Sequence, residues 1–232
     1  MMPRAVRWAV GGLGDLMVTA GLFLLLFVAW QLWWTDVEAN RAQNGTVQEL
    51  TRDFGAVKPP AAPATAQPKP VVFGQAFAIL RVPRLGADFA RPVFEGTDYE
   101  TLKKGIGHYQ GTAPAGAVGN MALAGHRTTF GRPFHEIERL RAGDKVVVET
   151  KSGYSVYAVD RHVIVPPTAV EVIAPVPGKP GAKANGSWLT LTACHPKYSA
   201  EQRYVVFARL LDTYPRPEGL PAGTLDVPAK GA

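Results

Sequence analysis

The chain contains one cysteine among 232 residues, and its 25 Lys and Arg residues form no long basic block. A lone thiol cannot close an internal disulfide, so Cys194 is an inert core residue, a free reactive group or half of an intermolecular bridge. The net charge of +6 suits contact with an anionic cell envelope. Because no nucleic-acid-binding motif accompanies that charge, we expect no nucleic-acid partner.

Paired metal ligands are also missing from the sequence. A zinc site needs about four ligands at paired spacings, whereas the single cysteine and the five histidines are dispersed along the chain. We therefore expect no metal site and no cofactor.

Residues 8–34 form the longest apolar run. A helix needs about 20 apolar residues to cross a bilayer, and this run supplies them. Arginines precede the run, whereas acidic residues follow it. This charge bias predicts a cytoplasmic N-terminus at 1–8, a transmembrane helix at 9–34 and an extracellular remainder. A cleaved signal peptide is the alternative, but its apolar core spans only about 7–15 residues.

The rest of the chain divides by composition. We expect a stalk and a proline- and alanine-rich spacer at 35–72, a folded domain at 73–212 and a disordered tail at 213–232. Within the stalk, residues 36–55 are interpreted as a short helix or a loose segment. Short strands and irregular loops favour a β-barrel or a β-sandwich. The predicted elements are strands at 78–82, 120–124, 144–150, 154–165, 188–194 and 203–211, a helix at 99–104 and a helical turn within 133–140.

Two of these strands end at residues that can do chemistry together. The strand at 188–194 ends at Cys194, and the strand at 120–124 is followed closely by His126. A nearby imidazole assists a thiol as a nucleophile, the pairing that acyl transfer uses. The alternative for His126 alone is a structural, hydrogen-bonded histidine.

The other histidines and Arg203 are weighed in the same way. His195 adjoins the cysteine, but neighbours on a strand point to opposite faces, so it is a poor base there. His135 and His162 are interpreted as structural. Arg203 opens the last strand, where its guanidinium could stabilise an oxyanion; a surface arginine is the alternative.

Three motifs together resemble the sortase family. These are Leu123-Ala-Gly-His126, Thr190-Leu-Thr-Ala-Cys194 and then Arg203, and the resemblance covers about residues 73–211. The segments 105–109, 124–131 and 194–196 look most like class E sortases of actinobacteria. The resemblance implies a mainly β fold, an eight-stranded sortase-type β-barrel with short helices.

The resemblance also implies an activity. Cys194 would attack the Thr–Gly bond of an LAXTG- or LPXTG-type sorting signal, His126 would protonate the leaving amine, and Arg203 would orient the substrate. An amine of a lipid II-type peptidoglycan precursor would resolve the thioacyl enzyme. Tyr109, Thr192 and Ala193 are the implied substrate-binding residues, with Tyr109 matched to a preference for LAXTG.

One position departs from the family pattern. Ala193 stands where sortases usually have threonine, and we expect slower acylation or altered substrate contact without a change of reaction. Some sortases bind calcium through acidic residues before the histidine strand. Because no Asp or Glu lies between Gly107 and Gly125, we expect no calcium requirement.

Two other functions remain as alternatives. L,D-transpeptidases are exported cysteine acyltransferases, but their histidine precedes the cysteine with a glycine between them. An idle β-barrel that binds cell-wall polymer or a partner protein is the second. The sequence leaves open whether the acceptor amine belongs to peptidoglycan or to a pilin lysine.

Overall fold

Eight strands close into one barrel in the part of the chain that the computed structural model describes, residues 3–55 and 71–229. The strand order around the barrel is β1-β2-β3-β4-β7-β8-β6-β5, which confirms the expected fold. Within the expected stalk and spacer at 35–72, residues 56–70, which include the proline- and alanine-rich stretch, lie outside the described residues. The strands are β1 Ala76–Arg81, β2 Ala90–Glu95, β3 Ile106–His108, β4 Gly119–Ala124, β5 Lys145–Thr150, β6 Gly153–Val165, β7 Ser187–His195 and β8 Gln202–Pro215.

The helices are few, and most are short. They are α1 Arg4–Gly55, α2 Tyr99–Lys104 and the 3-10 turns Pro83–Leu85, Ile137–Arg139, Val170–Ile173 and Arg216–Glu218. The predicted helix at 99–104 is confirmed. Asp98 caps it, and the Asp98 side chain accepts hydrogen bonds from the amides of Glu100 and Thr101. Such caps satisfy amides that have no partner inside the helix.

Alternation along the strands divides the apolar residues between two clusters. On β7, Leu189 and Leu191 point into the barrel and are fully buried. Trp188 points outward and packs with Val205 and Val172 beneath the 3-10 turn Val170–Ile173. The turn therefore covers part of the outer face of β7 and β8.

Helix α1 continues without a break through residues 36–55, the segment interpreted from sequence as a short helix or loose stalk. Its apolar part contains an 18-residue window of mean hydropathy 2.0, none of it buried in the protein, long enough to cross a membrane. Farther along, Gln43 and Phe54 are buried at 0% and 2% exposure. The second half of α1 thus docks on the barrel.

The C-terminal residues also differ from the expectation of a disordered tail from 213. Strand β8 runs to Pro215 because residues 213–215 pair with the start of β6. Arg216 then pairs with Glu149 and lies over the rings of Phe54 and Tyr154. These contacts extend the folded part of the chain beyond residue 212.

Tyr157 is a fully buried phenol that holds a loop to the barrel. Its Oη accepts a hydrogen bond from the Gly116 amide at 2.7 Å. Burial raises the pKa of Tyr157 to about 12, so the side chain stays neutral in the folded protein under ordinary conditions.

We expect Tyr157→Phe to lower the free energy of unfolding by roughly 1–2 kcal/mol, because the Gly116 amide loses its acceptor. Denaturant unfolding of the full chain in detergent, followed by pulse proteolysis, measures this change. Tyr198→Phe is the matched control because Tyr198 is 83% exposed. Equal effects of the two substitutions would contradict the role of the Tyr157 hydroxyl.

Candidate active site

Parallel pairing of β4 with β7 brings the two candidate catalytic groups to one end of the barrel. The register joins Ala124 to Thr192, and the Gly125 amide donates to the Thr192 carbonyl at 3.1 Å. His126 and Cys194 each lie two residues beyond that pair. We call this end of the barrel, formed by residues 125–132 and 194–203, the rim.

Alternation along β7 places Cys194 on the outer face of the barrel. Leu191 and Ala193 belong to the inner core, so Thr192 and Cys194 point outward. Cys194 is a free thiol of intermediate exposure. Because the thiol is accessible from outside the barrel, Cys194 is not the inert core residue that the first alternative described.

Ala193 does not lie where its expected substrate contact requires. It is 3% exposed and packs inside the barrel, facing away from Cys194. The substrate-binding assignment for Ala193 is therefore corrected to a core position. A threonine there would place its hydroxyl among apolar side chains rather than beside the sulfur.

Arg203 lies directly across from Cys194, paired with it in the antiparallel register of β7 and β8. Opposite residues share a face, with Cβ atoms about 4.5–5.5 Å apart. The Arg203 Nη1 donates to the carbonyls of Ala200 and Gln202, each at 2.9 Å. These two bonds hold the guanidinium at the rim.

His126 is half-buried at the rim and packs against an aromatic ring. Its ring centroid lies 5.1 Å from that of Phe130. Its Nε2 is buried and has no hydrogen-bond partner among the described residues. Burial lowers the pKa of His126, so the free protein holds this imidazole largely neutral at pH 7.

A groove lies on the outer face of the barrel beside the strand ends that carry Thr192 and Arg203, and two of the predicted substrate-binding residues line it. The Tyr109 hydroxyl and the Thr192 Oγ1 are 3.2 Å apart, and Thr192 Oγ1 donates to the Leu123 carbonyl. The groove therefore has hydroxyl groups on one wall and apolar side chains on the other. Its lining includes Tyr109, Val165, Val170, Ile173, Thr192 and Arg203.

Arg127 is a site residue that the sequence analysis missed. Its side chain is 4% exposed. Its Nη1 donates to the Cys194 carbonyl at 3.2 Å and to His195 Nδ1 at 2.9 Å, and its Nη2 donates to Glu138 at 2.9 Å. It thus ties the loop after His126 to the strand end that carries Cys194. No local sequence pattern predicts this role, because the partners of Arg127 come together only in the folded barrel.

The remaining histidines lie away from the groove. His195 accepts from Arg127 through Nδ1 and packs against Tyr204, on the face opposite Cys194. His135 Nδ1 donates to the Arg127 carbonyl, and His162 stacks on Tyr204. His108 is buried, with Nδ1 2.6 Å from Glu95.

Comparisons with known proteins agree with this architecture. Residues 80–211 match the sortase domain family. Sortase SrtE1 of Streptomyces coelicolor is 36% identical over 227 residues, which cover 94% of this chain and 62% of the relative. The chain thus spans less than two thirds of the length of that relative.

Solved structures give the same result. Sortase E from Streptomyces avermitilis is 44% identical with a TM-score of 0.60, over 66% of this chain and 99% of that one. Sortase E1 from Streptomyces coelicolor, solved with a tripeptide in its active site, is 36% identical with a TM-score of 0.60, over 66% of this chain and 98% of that one.

A closed eight-stranded barrel with one thiol at its rim defines the class of protein. This chain belongs to the sortase family, whose members are cysteine transpeptidases. Within the family it is similar to the class E sortases of Streptomyces.

We expect Arg127→Lys to lower the free energy of unfolding by roughly 1–3 kcal/mol. The compact ammonium of lysine lacks the planar fork of the guanidinium and cannot reach all three acceptors at once. Denaturant unfolding of the full chain measures the loss. Arg139→Lys is the control, since Arg139 forms an exposed ion pair with Glu136 and such pairs contribute little. An Arg127→Lys protein as stable as the control would contradict the bridging role.

Proposed function

We propose that this chain is a membrane-anchored cysteine transpeptidase that acts on a C-terminal LAXTG/LPXTG-type sorting signal. The observation that carries the proposal is the register of β4, β7 and β8, which brings His126, Cys194 and Arg203 to one rim. The groove beside the rim offers an extended peptide an apolar wall and hydroxyl groups.

In the first half of the reaction, the Cys194 thiol gives its proton to His126 and its sulfur attacks the Thr carbonyl carbon. The carbonyl electrons move to oxygen, and the tetrahedral intermediate then collapses. The Thr–Gly C–N bond breaks as His126 gives the proton to the leaving amine. Since burial lowers the pKa of His126, the ring is poised to receive the thiol proton and release it again.

In the second half, an acceptor amine attacks the thioester. The amine gives a proton to His126, the carbon–sulfur bond breaks, and the proton returns to the Cys194 sulfur. The product is a new amide, and the protein regains its starting state. The acceptor we propose is an amine of a lipid II-type peptidoglycan precursor.

Arg203 supplies positive charge where the oxyanion develops. Its place opposite Cys194 supports this role, because directly opposite residues share one face of the sheet. Preorganised donors of this kind contribute several kcal/mol in acyl transfer. Similarity supports a peptide ligand, since the related sortase E1 was solved with a tripeptide in its active site.

The partners follow from the same proposal. The donor substrates are secreted proteins that carry sorting signals, and α1 anchors the enzyme in the cell membrane. The arginines that precede the apolar run and the acids that follow it support a cytoplasmic N-terminus and an extracellular barrel.

The first test uses the full chain in detergent with LAXTG and LPXTG peptides and an amine acceptor. We expect Cys194→Ala and His126→Ala to abolish cleavage, and Arg203→Lys to lower kcat by roughly 100-fold. Mass spectrometry should find a hydroxylamine-sensitive acyl group on Cys194.

Arg209→Lys is the matched control, because Arg209 lies on the same face of β8 but stacks on Trp188, away from the rim. It should leave kcat unchanged. Binding of either peptide without cleavage or acylation would contradict the proposal and favour the idle barrel that only binds a partner.

The second test addresses the preference for alanine in the signal. Tyr109→Phe removes the hydroxyl that contacts Thr192 and keeps the ring. We therefore expect the ratio of kcat/KM for LAXTG over LPXTG to fall by roughly tenfold, the low end of the discrimination that one small group in a pocket provides. Tyr198→Phe, outside the groove, is the control. An unchanged ratio would remove Tyr109 from the set of specificity residues.

A further inference from the structure

The docked segment of α1, residues 35–55, lies along the barrel from the rim to the opposite end. At one end Asp36 contacts the loop that follows His126. At the other end Asp53 pairs with Lys151, in the β5–β6 turn. The part of the docked segment next to the apolar run is therefore the part that contacts the rim.

Three polar contacts join the docked segment to the loop at 130–132. Gln43 Nε2 donates to the Phe130 carbonyl at 2.9 Å, and Asp36 Oδ1 accepts from the Gly131 amide at 3.1 Å. Asp36 Oδ2 also pairs with Arg132 Nε at 2.9 Å. Gln43 is 0% exposed, so these contacts belong to a packed interface.

The backbone of this loop needs such support. Phe130, Gly131 and Arg132 have successive φ angles of 51°, 77° and 49°, in a region that side-chain-bearing residues rarely occupy. Strained backbone of this kind persists where surrounding structure holds it. Gly131 is also approached closely, since a Cβ there would lie 2.9 Å from Gln43 Nε2.

Phe130 passes this support on to the candidate catalytic histidine. Its ring packs on the His126 ring at 5.1 Å and meets the Tyr99 ring edge-on at 5.9 Å. Since His126 Nε2 has no hydrogen-bond partner among the described residues, ring packing restrains this imidazole in place of a bond at that nitrogen.

We propose that the docked segment of α1 is a positioning element for His126. Asp36 and Gln43 hold the loop at 130–132 so that Phe130 fixes the imidazole at the rim. This inference rests on the proposed function for its kinetic consequence, but the placement of the ring is a property of the folded chain alone.

The kinetic test compares full-length variants in the same lipid nanodiscs. We expect Asp36→Ala and Gln43→Ala each to lower kcat for LAXTG peptide roughly tenfold, because misplacing a reacting group is costly. KM should change less than twofold, since neither side chain lies in the groove. Asp53→Asn is the control, because it removes the contact at the far end of the same segment and should leave both constants unchanged.

Two results would overturn the positioning role. One is an unchanged kcat in both rim-end variants. The other is an equal fall in Asp53→Asn, which would indicate general loosening of the helix. Thermal unfolding of every variant checks that the barrel remains folded under the assay conditions.

A second readout is independent of activity. The chain has five histidines, so the imidazole Cε1–H signals of labelled protein form a short spectrum, and the His126→Gln variant assigns one of them. We expect that signal to move in Asp36→Ala and Gln43→Ala but not in Asp53→Asn. A shifted signal in a chain that cleaves no peptide would sustain the inference while the proposed function fails; an unmoved signal would overturn the inference.

Discussion

The parallel, in-register pairing of β4 with β7 is the constraint on which the site depends. Because Ala124 lies beside Thr192, strands β4 and β7 end at the same level and place His126 and Cys194 at the same rim. The antiparallel partner β8 then brings Arg203 opposite the cysteine. Backbone hydrogen bonds, rather than contacts among the three side chains, bring these groups together.

Support for the site comes from three sides. Arg127 ties the histidine loop to the backbone of Cys194, and the turn Val170–Ile173 covers the outer face of β7 and β8. Helix α1 contacts the loop beyond His126.

If α1 spans a bilayer as proposed, the rim lies next to the membrane surface, since Asp36 follows the last tryptophan of the apolar run by only two residues. A sorting signal with a membrane-bound tail and a lipid-linked acceptor would both meet the enzyme there.

Much of this arrangement was predictable from sequence because local signals carry it. Asp98 marks a helix start, and strand ends before Gly125 and Pro196 place His126 and Cys194 at a rim. Strands β2 and β3 were not predicted individually, since β2 contains Pro92 and β3 has three residues. The inward orientation of Ala193 follows from alternation, but family matching alone gave it a substrate contact. Arg127 and the docking of α1 depend on partners distant in sequence, which no local pattern encodes.

The interaction that we propose between Cys194 and His126 can be measured directly through the chemistry of the thiol. The rate of Cys194 alkylation by iodoacetamide is followed against pH in the full chain, in His126→Gln and in His162→Gln. His162→Gln is the control, because the His162 ring stacks on Tyr204 away from the groove. The account predicts an inflection that follows ionisation of the His126 imidazole, absent in His126→Gln and retained in His162→Gln. Identical profiles in all three proteins would contradict it.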